Sequence, residues 1–231
     1  MQVGGDRYND IGKCAVGVGE NAAMSQHPHS PLYKARPARS PYHDRLPVGE
    51  RLPVQPLLDS PFFGFEGDLQ MARLEPMLVP EVPRHGEDAA DDCFHCTVGT
   101  ETAIWRDALW HVGHPPQTGL PFLAGLAPNR HVRLHEMDAD LLGSFGFVVQ
   151  RLANAIRSLD GVARTHFSRW GDGNAHFHMH FLARPLGMIQ GRGAMLAFWD
   201  DVLPALEPEM LAANARAVAA AMAKDGGDKL V

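Results

Sequence analysis

The sequence predicts a chain that mixes short strands with long helices, entered through an extended arm. Three observations predict it. The run His176-Phe177-His178-Met179-His180-Phe181-Leu182 alternates histidines with large apolar residues, the period of two of a half-buried strand. Leu141, Leu142, Phe145, Val148, Val149, Leu152, Ile156 and Leu159 recur at intervals of three and four, as one buried helix face requires. Residues 207–224 are rich in alanine and helical by propensity.

The first of these is also the candidate site. Successive side chains of a strand point to opposite faces. His176, His178 and His180 then share one face, and Phe177, Met179 and Phe181 the other. On a helix, His178 would point nearly opposite to its two neighbours. The apolar face belongs to a core, and the imidazole face looks onto something polar. Adjacent imidazoles gain little from packing and repel one another when protonated together, so three in register mark a site.

Composition sets the bounds. A chain of 231 residues, 45% hydrophobic and 21% charged, has the make-up of one large globular domain, or of one domain with tails. A formal charge of -6 argues against non-specific nucleic-acid binding, which needs a basic surface. Three cysteines, Cys14, Cys93 and Cys96, are too few and too odd for a disulfide framework, so a reducing, cytoplasmic setting is expected. No apolar run reaches the roughly 18–20 residues of a membrane span, and the N-terminus lacks the apolar centre of a signal peptide. Neither a nucleic-acid nor a membrane partner is expected.

In chain order, residues 1–60 carry Pro28, Pro31, Pro37, Pro41, Pro47, Pro53 and Pro56, too many for a helix or a centrally paired strand. They read as an extended or disordered arm. Its basic residues Lys34, Arg36 and Arg39 read as solvated. Residues 61–92 read as a connector pinned by Phe62, Phe63 and Phe65, ending in the acidic run from Glu87 to Asp92. A compact domain is expected over 93–185. Ala103 to Val112 reads as one strand, bounded by Gly113 and Pro115-Pro116. Leu120 to Ala127 is a second, and Pro121 confines it to its later residues. Asp138 caps a helix of about 20 residues, stopped by Asp160-Gly161. Ala163 to Trp170 is a third strand, and Gly171-Asp172-Gly173 a turn. His176 to Ala183 returns as the other arm of a hairpin. Residues 186–231 form a helical extension. It holds a short helix over Ala194 to Val202 and a longer one over Glu207 to Lys224 that frays at Gly226-Gly227. No internal repeat is present.

The segment from Gly171 to Leu182 resembles the signature of the histidine-triad (HIT) superfamily. There a glycine, a polar residue and three further positions precede His-φ-His-φ-His-φ-φ, φ being apolar. The order around it also fits: Cys-x-x-Cys, strand, strand ending in Pro-x-x-His, long helix, strand, triad strand. The resemblance covers about residues 93–185. It implies an α+β fold, an antiparallel sheet with one long packed helix, and a homodimer. It also implies hydrolysis or transfer of nucleotides through a covalent nucleotidyl-histidine. Ala183-Arg184-Pro185 and Trp199-Asp200-Asp201 look like a variant seen among bacterial members.

Residue roles follow from the same resemblance. Neutral imidazole is a competent nucleophile near pH 7, and covalent catalysis splits one hard substitution into two easier ones. His178, the middle histidine, would attack the α-phosphate, with a nearby backbone carbonyl tethering its other ring nitrogen. His180 would contact the phosphate or leaving group. The turn with Gly171, Gly173 and Asn174 would offer backbone N–H groups to phosphate oxygens. His111 and His114 lie near where members bind ribose and base; for His111 a place in a turn is an equal reading. Arg169 and Arg184 flank the site, or are solvated. Cys93, Cys96, His131 and His176 match the structural zinc ligands of some members and of galactose-1-phosphate uridylyltransferases. Such closed tetrahedral coordination would leave His178 free. His95, within the Cys-x-x-Cys, reads as a bystander. The pattern departs from the family twice. Asp172 and Gly173 stand where members carry Gln and then Ser or Thr, and Leu123 stands where many carry a histidine. Three other readings stay open. One is a phosphorylase or transferase related to galactose-1-phosphate uridylyltransferase, one a non-catalytic nucleotide-binding protein, and one a metalloenzyme whose triad itself binds metal.

Overall fold

A computed structural model of the chain describes residues 47–51, 69, 73, 75–97 and 101–231. The expected arm, apart from residues 47–51, and the three phenylalanines of the connector lie outside the described residues. Ten elements follow: α1 (Phe94–Thr97), β1 (Ala103–Arg106), β2 (Trp110–Gly113), β3 (Leu123–Pro128), α2 (Ala139–Arg157), β4 (Val162–Ser168), β5 (Met179–Pro185), α3 (Met195–Val202), α4 (Pro208–Ala223) and β6 (Asp228–Lys229). The six strands form one sheet in the order β4-β5-β3-β2-β1-β6, and every pairing is antiparallel. The α+β fold with its antiparallel sheet and long helix is the expected one.

The register separates two faces. Met179 pairs with Leu126, Leu126 with Val112 and Val112 with Trp105. This row is apolar across four strands and belongs to the main core. Phe177 and Phe181 are fully buried in the same core, each contributing roughly 1.5–3 kcal/mol by its burial. Two helices cover this face. α2 contributes Leu141, Val148, Leu152, Ala155 and Ile156, and α4 contributes Leu211, Ala215, Val218, Ala219 and Met222. The next row belongs to the other face. His180 pairs with Gly125 and Gly125 with Gly113, so the sheet beside the triad is floored by glycines. A Cβ on Gly125 would meet nothing within 4 Å.

A second, smaller core lies at the far end of that face. Leu123 pairs with Leu182, and both are buried with Leu120 and with Leu196 of α3. The departure at Leu123 thus has a physical reason. Its side chain helps to seat α3, a place where an imidazole would lack a partner.

The expectations need four corrections. Ala103 to Val112 is a hairpin, not one strand. The Asp107 carboxylate accepts from the backbone N–H of Leu109 at 2.8 Å and of Trp110 at 2.7 Å, which turns the chain. The triad strand begins at Met179, so His176 and His178 precede the ladder. β3 ends at Pro128, which has no N–H to extend it. On α2, Leu142 is 56% exposed and Phe147 72% exposed, so neither packs; Phe145 does, against Trp110 and Phe177. Gly226-Gly227 does not end in a fray but leads into β6, paired with β1. Other boundaries agree. Asp138 caps α2 by accepting from the Leu141 N–H at 3.0 Å, and Gly161 ends the following turn at φ +74°. Among the described residues, no helix is long and apolar enough to cross a membrane.

Candidate active site and metal centre

Four of the predicted residues converge. The ligand atoms of Cys93, Cys96, His131 and His176 all lie within 4.8 Å of one another. Cys93 Sγ is 3.4 Å from His176 Nδ1. Cys96 Sγ is 3.3 Å from His131 Nδ1 and 3.5 Å from His176 Nδ1. Tetrahedral zinc, with Zn–S of about 2.3 Å and Zn–N of about 2.0–2.1 Å, puts S and N about 3.5 Å apart, so the donor set fits the ion. The far ring nitrogens agree with this. His131 Nε2–H donates to the Gly86 carbonyl at 3.0 Å, and His176 Nε2–H donates to the Pro128 carbonyl at 3.1 Å. Each imidazole is thereby fixed in the tautomer that turns a bare Nδ1 to the cluster. A hydrogen bond from the Cys96 thiol holds the Cys93 thiol far below its usual range, and the same bond pushes Cys96 up.

Gly86 is a residue that the sequence reading missed. It has φ +73°, and a Cβ there would stand 2.9 Å from both Cys93 Cβ and His131 Cε1. Only glycine lets the backbone approach this cluster so closely. The neighbouring His85 forms a bridge with Asn174. Its N–H donates to the Gly173 carbonyl, and its carbonyl accepts from the Ala175 N–H. The segment before Cys93 is therefore stitched to the turn before the triad. A glycine beside an acidic run gives no signal of this in sequence.

The nucleophile candidate is built separately. His178 Nδ1–H donates to the His176 carbonyl at 2.9 Å, so the lone pair resides on Nε2. His178 is 9% exposed. Burial depresses its basicity, with the charge of Arg169 adding to the effect. His180 stands edge-on to His178 with ring centroids 5.2 Å apart, and the Trp170 ring covers it at 5.0 Å. Burial and the His178 imidazole push His180 down to about 4.

The other candidates divide. His111 is buried, and its Nδ1 is 3.2 Å from the Asn129 side-chain oxygen; burial lowers it to about 4. His95 is not among the four metal-site residues, yet it is close to the triad. Its ring centroid is 4.9 Å from that of His178, 5.2 Å from His176 and 6.2 Å from His111. Burial among these imidazoles holds it down to about 2. Asn174 turns its side chain to Cys93, its amide oxygen 3.5 Å from the sulfur. Gly171, at φ +69°, and Gly173 spend their carbonyls on Arg84 and on the His85 N–H. Arg184 donates to the Met188 carbonyl at 3.0 Å, which ties the turn after β5. His114 bonds the Pro115 carbonyl at 2.7 Å.

A histidine triad at the start of a sheet strand, with its first histidine in a Cys2His2 cluster, is the arrangement that the motif resembles. Comparison with solved structures finds partial likenesses. A Zn-bound histidine triad family protein from Mycobacterium smegmatis is similar with a TM-score of 0.43 and 17% identity, over 59% of this chain and 96% of that one. A histidine triad protein from Bradyrhizobium japonicum is similar with a TM-score of 0.45 and 16% identity, over 55% and 95%. A uridylyltransferase mutant is similar with a TM-score of 0.40 and 18% identity, over 58% of this chain and 48% of that one. No protein-family model matches the chain, and no curated protein matches it.

Proposed function

We propose that the chain is a nucleotide hydrolase or nucleotidyltransferase of the histidine-triad type, acting at an α-phosphate through a nucleotidyl-histidine on His178. The observation that carries the reading is the 2.9 Å bond from His178 Nδ1–H to the His176 carbonyl. It fixes the tautomer and leaves Nε2 as a directed nucleophile. In the first step, the Nε2 lone pair forms an N–P bond as the bond from phosphorus to the leaving oxygen or nitrogen breaks. The leaving group takes up a proton from water as it departs. In the second step, an oxygen of water or of an acceptor attacks phosphorus, the N–P bond breaks, and the attacking oxygen gives up its proton. His180, held neutral by burial, carries both an N–H and a lone pair beside the reacting ring and suits the proton's route. The open floor at Gly125, where a Cβ would meet nothing within 4 Å, leaves room for a nucleoside, with buried His111 near its end.

Zinc held by Cys93, Cys96, His131 and His176 would close its shell with protein ligands and act structurally. Its thiolates suit the reducing, cytoplasmic setting expected for the chain. The homodimer expected of the resemblance belongs to the same reading and is checked by light scattering.

Incubation with a radiolabelled nucleoside phosphoramidate, followed by a rapid alkaline quench, is expected to leave an acid-labile label on the wild type. His178→Ala should leave none while keeping its metal. Equal labelling of the two proteins would remove His178 from the chemistry.

A further inference from the structure

A cleft of about 240 Å³ is lined by Arg84, Arg133, Leu134, His135 and Arg169. Three guanidinium groups and an imidazole face it, and no carboxylate is among its walls. Of the nearby acids, Glu87 and Glu136 are engaged with Arg84 and Arg133, and the Asp172 carboxylate favours the charge of Arg169. Glu87 holds Arg84 at 2.9 Å, and its backbone carbonyl accepts from Arg133 at 2.9 Å. The Glu136 carboxylate takes the Arg133 backbone N–H at 2.9 Å and is 3.6 Å from its guanidinium. These contacts fix the guanidinium groups in place without filling the space between them.

Arg169 is held by shape. A Cβ on Gly171 would lie 2.7–2.8 Å from its guanidinium carbon and both terminal nitrogens. The group is thus laid flat on the backbone of a left-handed glycine. Its other neighbour is the Phe177 ring, 5.6 Å from guanidinium carbon to centroid. Its Nε is buried without a hydrogen-bond partner; burial first and the charge of Arg84 second disfavour its cation, against the Asp172 carboxylate, which favours it. Buried donors left unsatisfied are costly and rare. Like charges assembled around a cleft are the usual answer to an anion. Arg84 meanwhile donates to the Gly171 carbonyl at 2.9 Å. Two walls of the cleft thus meet at the turn that precedes the triad.

We propose that the cleft between Arg84, Arg133 and Arg169 binds a phosphoryl dianion, the second anionic group of the molecule that gives up or receives the nucleotidyl group. The place in the reaction rests on the proposed function, whereas the binding itself does not. A planar guanidinium matches phosphate through paired N–H donors, and a cleft with several of them favours a dianion over a carboxylate. The substrates implied are nucleotides joined to a second phosphorylated half, rather than nucleotides with a neutral leaving group.

The test uses the full-length, metal-containing protein. Inorganic phosphate and acetate are titrated by calorimetry into wild type, Arg169→Gln, Arg133→Gln and His178→Ala. Phosphate is expected to bind wild type and His178→Ala alike, and acetate neither. Each arginine variant should weaken phosphate about tenfold or more, as loss of a charge-assisted pair does. Arg133→Gln reads the opposite wall independently, should Arg169→Gln fail to fold. No phosphate binding to wild type, or equal binding in both arginine variants, overturns the proposal. A kinetic arm compares kcat/KM for a nucleoside diphosphate conjugate with that for a nucleoside phosphoramidate. The ratio should fall about tenfold in Arg133→Gln, and an unchanged ratio removes the cleft from the reaction. If phosphate binds as expected but His178 takes no label, the cleft stands and the catalytic reading falls.

Discussion

At the scale of single residues, burial depresses the basicity of two triad imidazoles, His178 and His180. Burial is the larger cause for His180, and the His178 ring adds to it, bringing His180 to about 4. The unfolded chain titrates such a ring near the ordinary value of about 6.5. Between these two values the unfolded state holds the extra proton, so the sign is fixed: stability falls as pH drops from about 6.5 toward 4. Above about 6.5 the contribution is complete. Thermal midpoints measured from pH 7 to pH 4.5 should decline less steeply in His180→Asn, which cannot take the proton, than in wild type. Parallel slopes would show that this ring is not held neutral. The period of two set His178 and His180 side by side, and their ring centroids lie 5.2 Å apart. It did not foretell His95, because a histidine inside a Cys-x-x-Cys carries no periodic signal. Its place over His178 is set by the two flanking thiols folding onto His131 and His176.

At the scale of elements, legibility followed how local the cause is. The Asp138 cap and the stop at Gly161 are local, and α2 occupies the expected residues. The β1–β2 turn is also local, but its signal was a single Asp107 inside an apolar run, and the run read as one strand. The exposed Leu142 satisfied the helical period without facing the core. Leu123 shows the opposite case, a departure from the family pattern whose reason is tertiary. It is 7% exposed and shares its cluster with Leu182 and Leu196. Truncation by Leu123→Ala should cost about 2–5 kcal/mol, the range for deleting a buried leucine. It should also loosen α3, whose Trp199 indole donates to the Gln190 carbonyl at 3.1 Å. Urea denaturation followed by tryptophan fluorescence reads both effects. A loss below about 0.5 kcal/mol, the scale of a surface change, would mean that α3 is seated elsewhere.

At the scale of the whole molecule, two closures hold the sheet, and both join residues far apart in sequence. At one edge the C-terminus returns. β6 pairs with β1, the Trp105 indole donates to the Gly226 carbonyl at 3.1 Å, and a Cβ on Gly227 would lie 2.5 Å from the Trp105 ring. Nothing periodic announces this contact, and two glycines read as a fray. At the other end the Cys2His2 cluster gathers residues 93–96, 131 and 176. Gly86 and the bridge from His85 to Asn174 extend the same closure. An ion there would bind the folded chain alone, so its binding free energy becomes folding free energy. The purified protein is expected to carry about one zinc per chain, lost in Cys93→Ser and kept in His178→Ala. Chelation should lower the melting temperature and open residues 93–97 to protease before α2 is cut, since two of the cluster's four ligands lie in that segment. Gly86→Ala should mimic part of this loss, because its added carbon has no room between Cys93 and His131. Metal that leaves with His178→Ala instead, or a melting temperature indifferent to chelator, would show that the ion is held by the triad or that this corner closes without it.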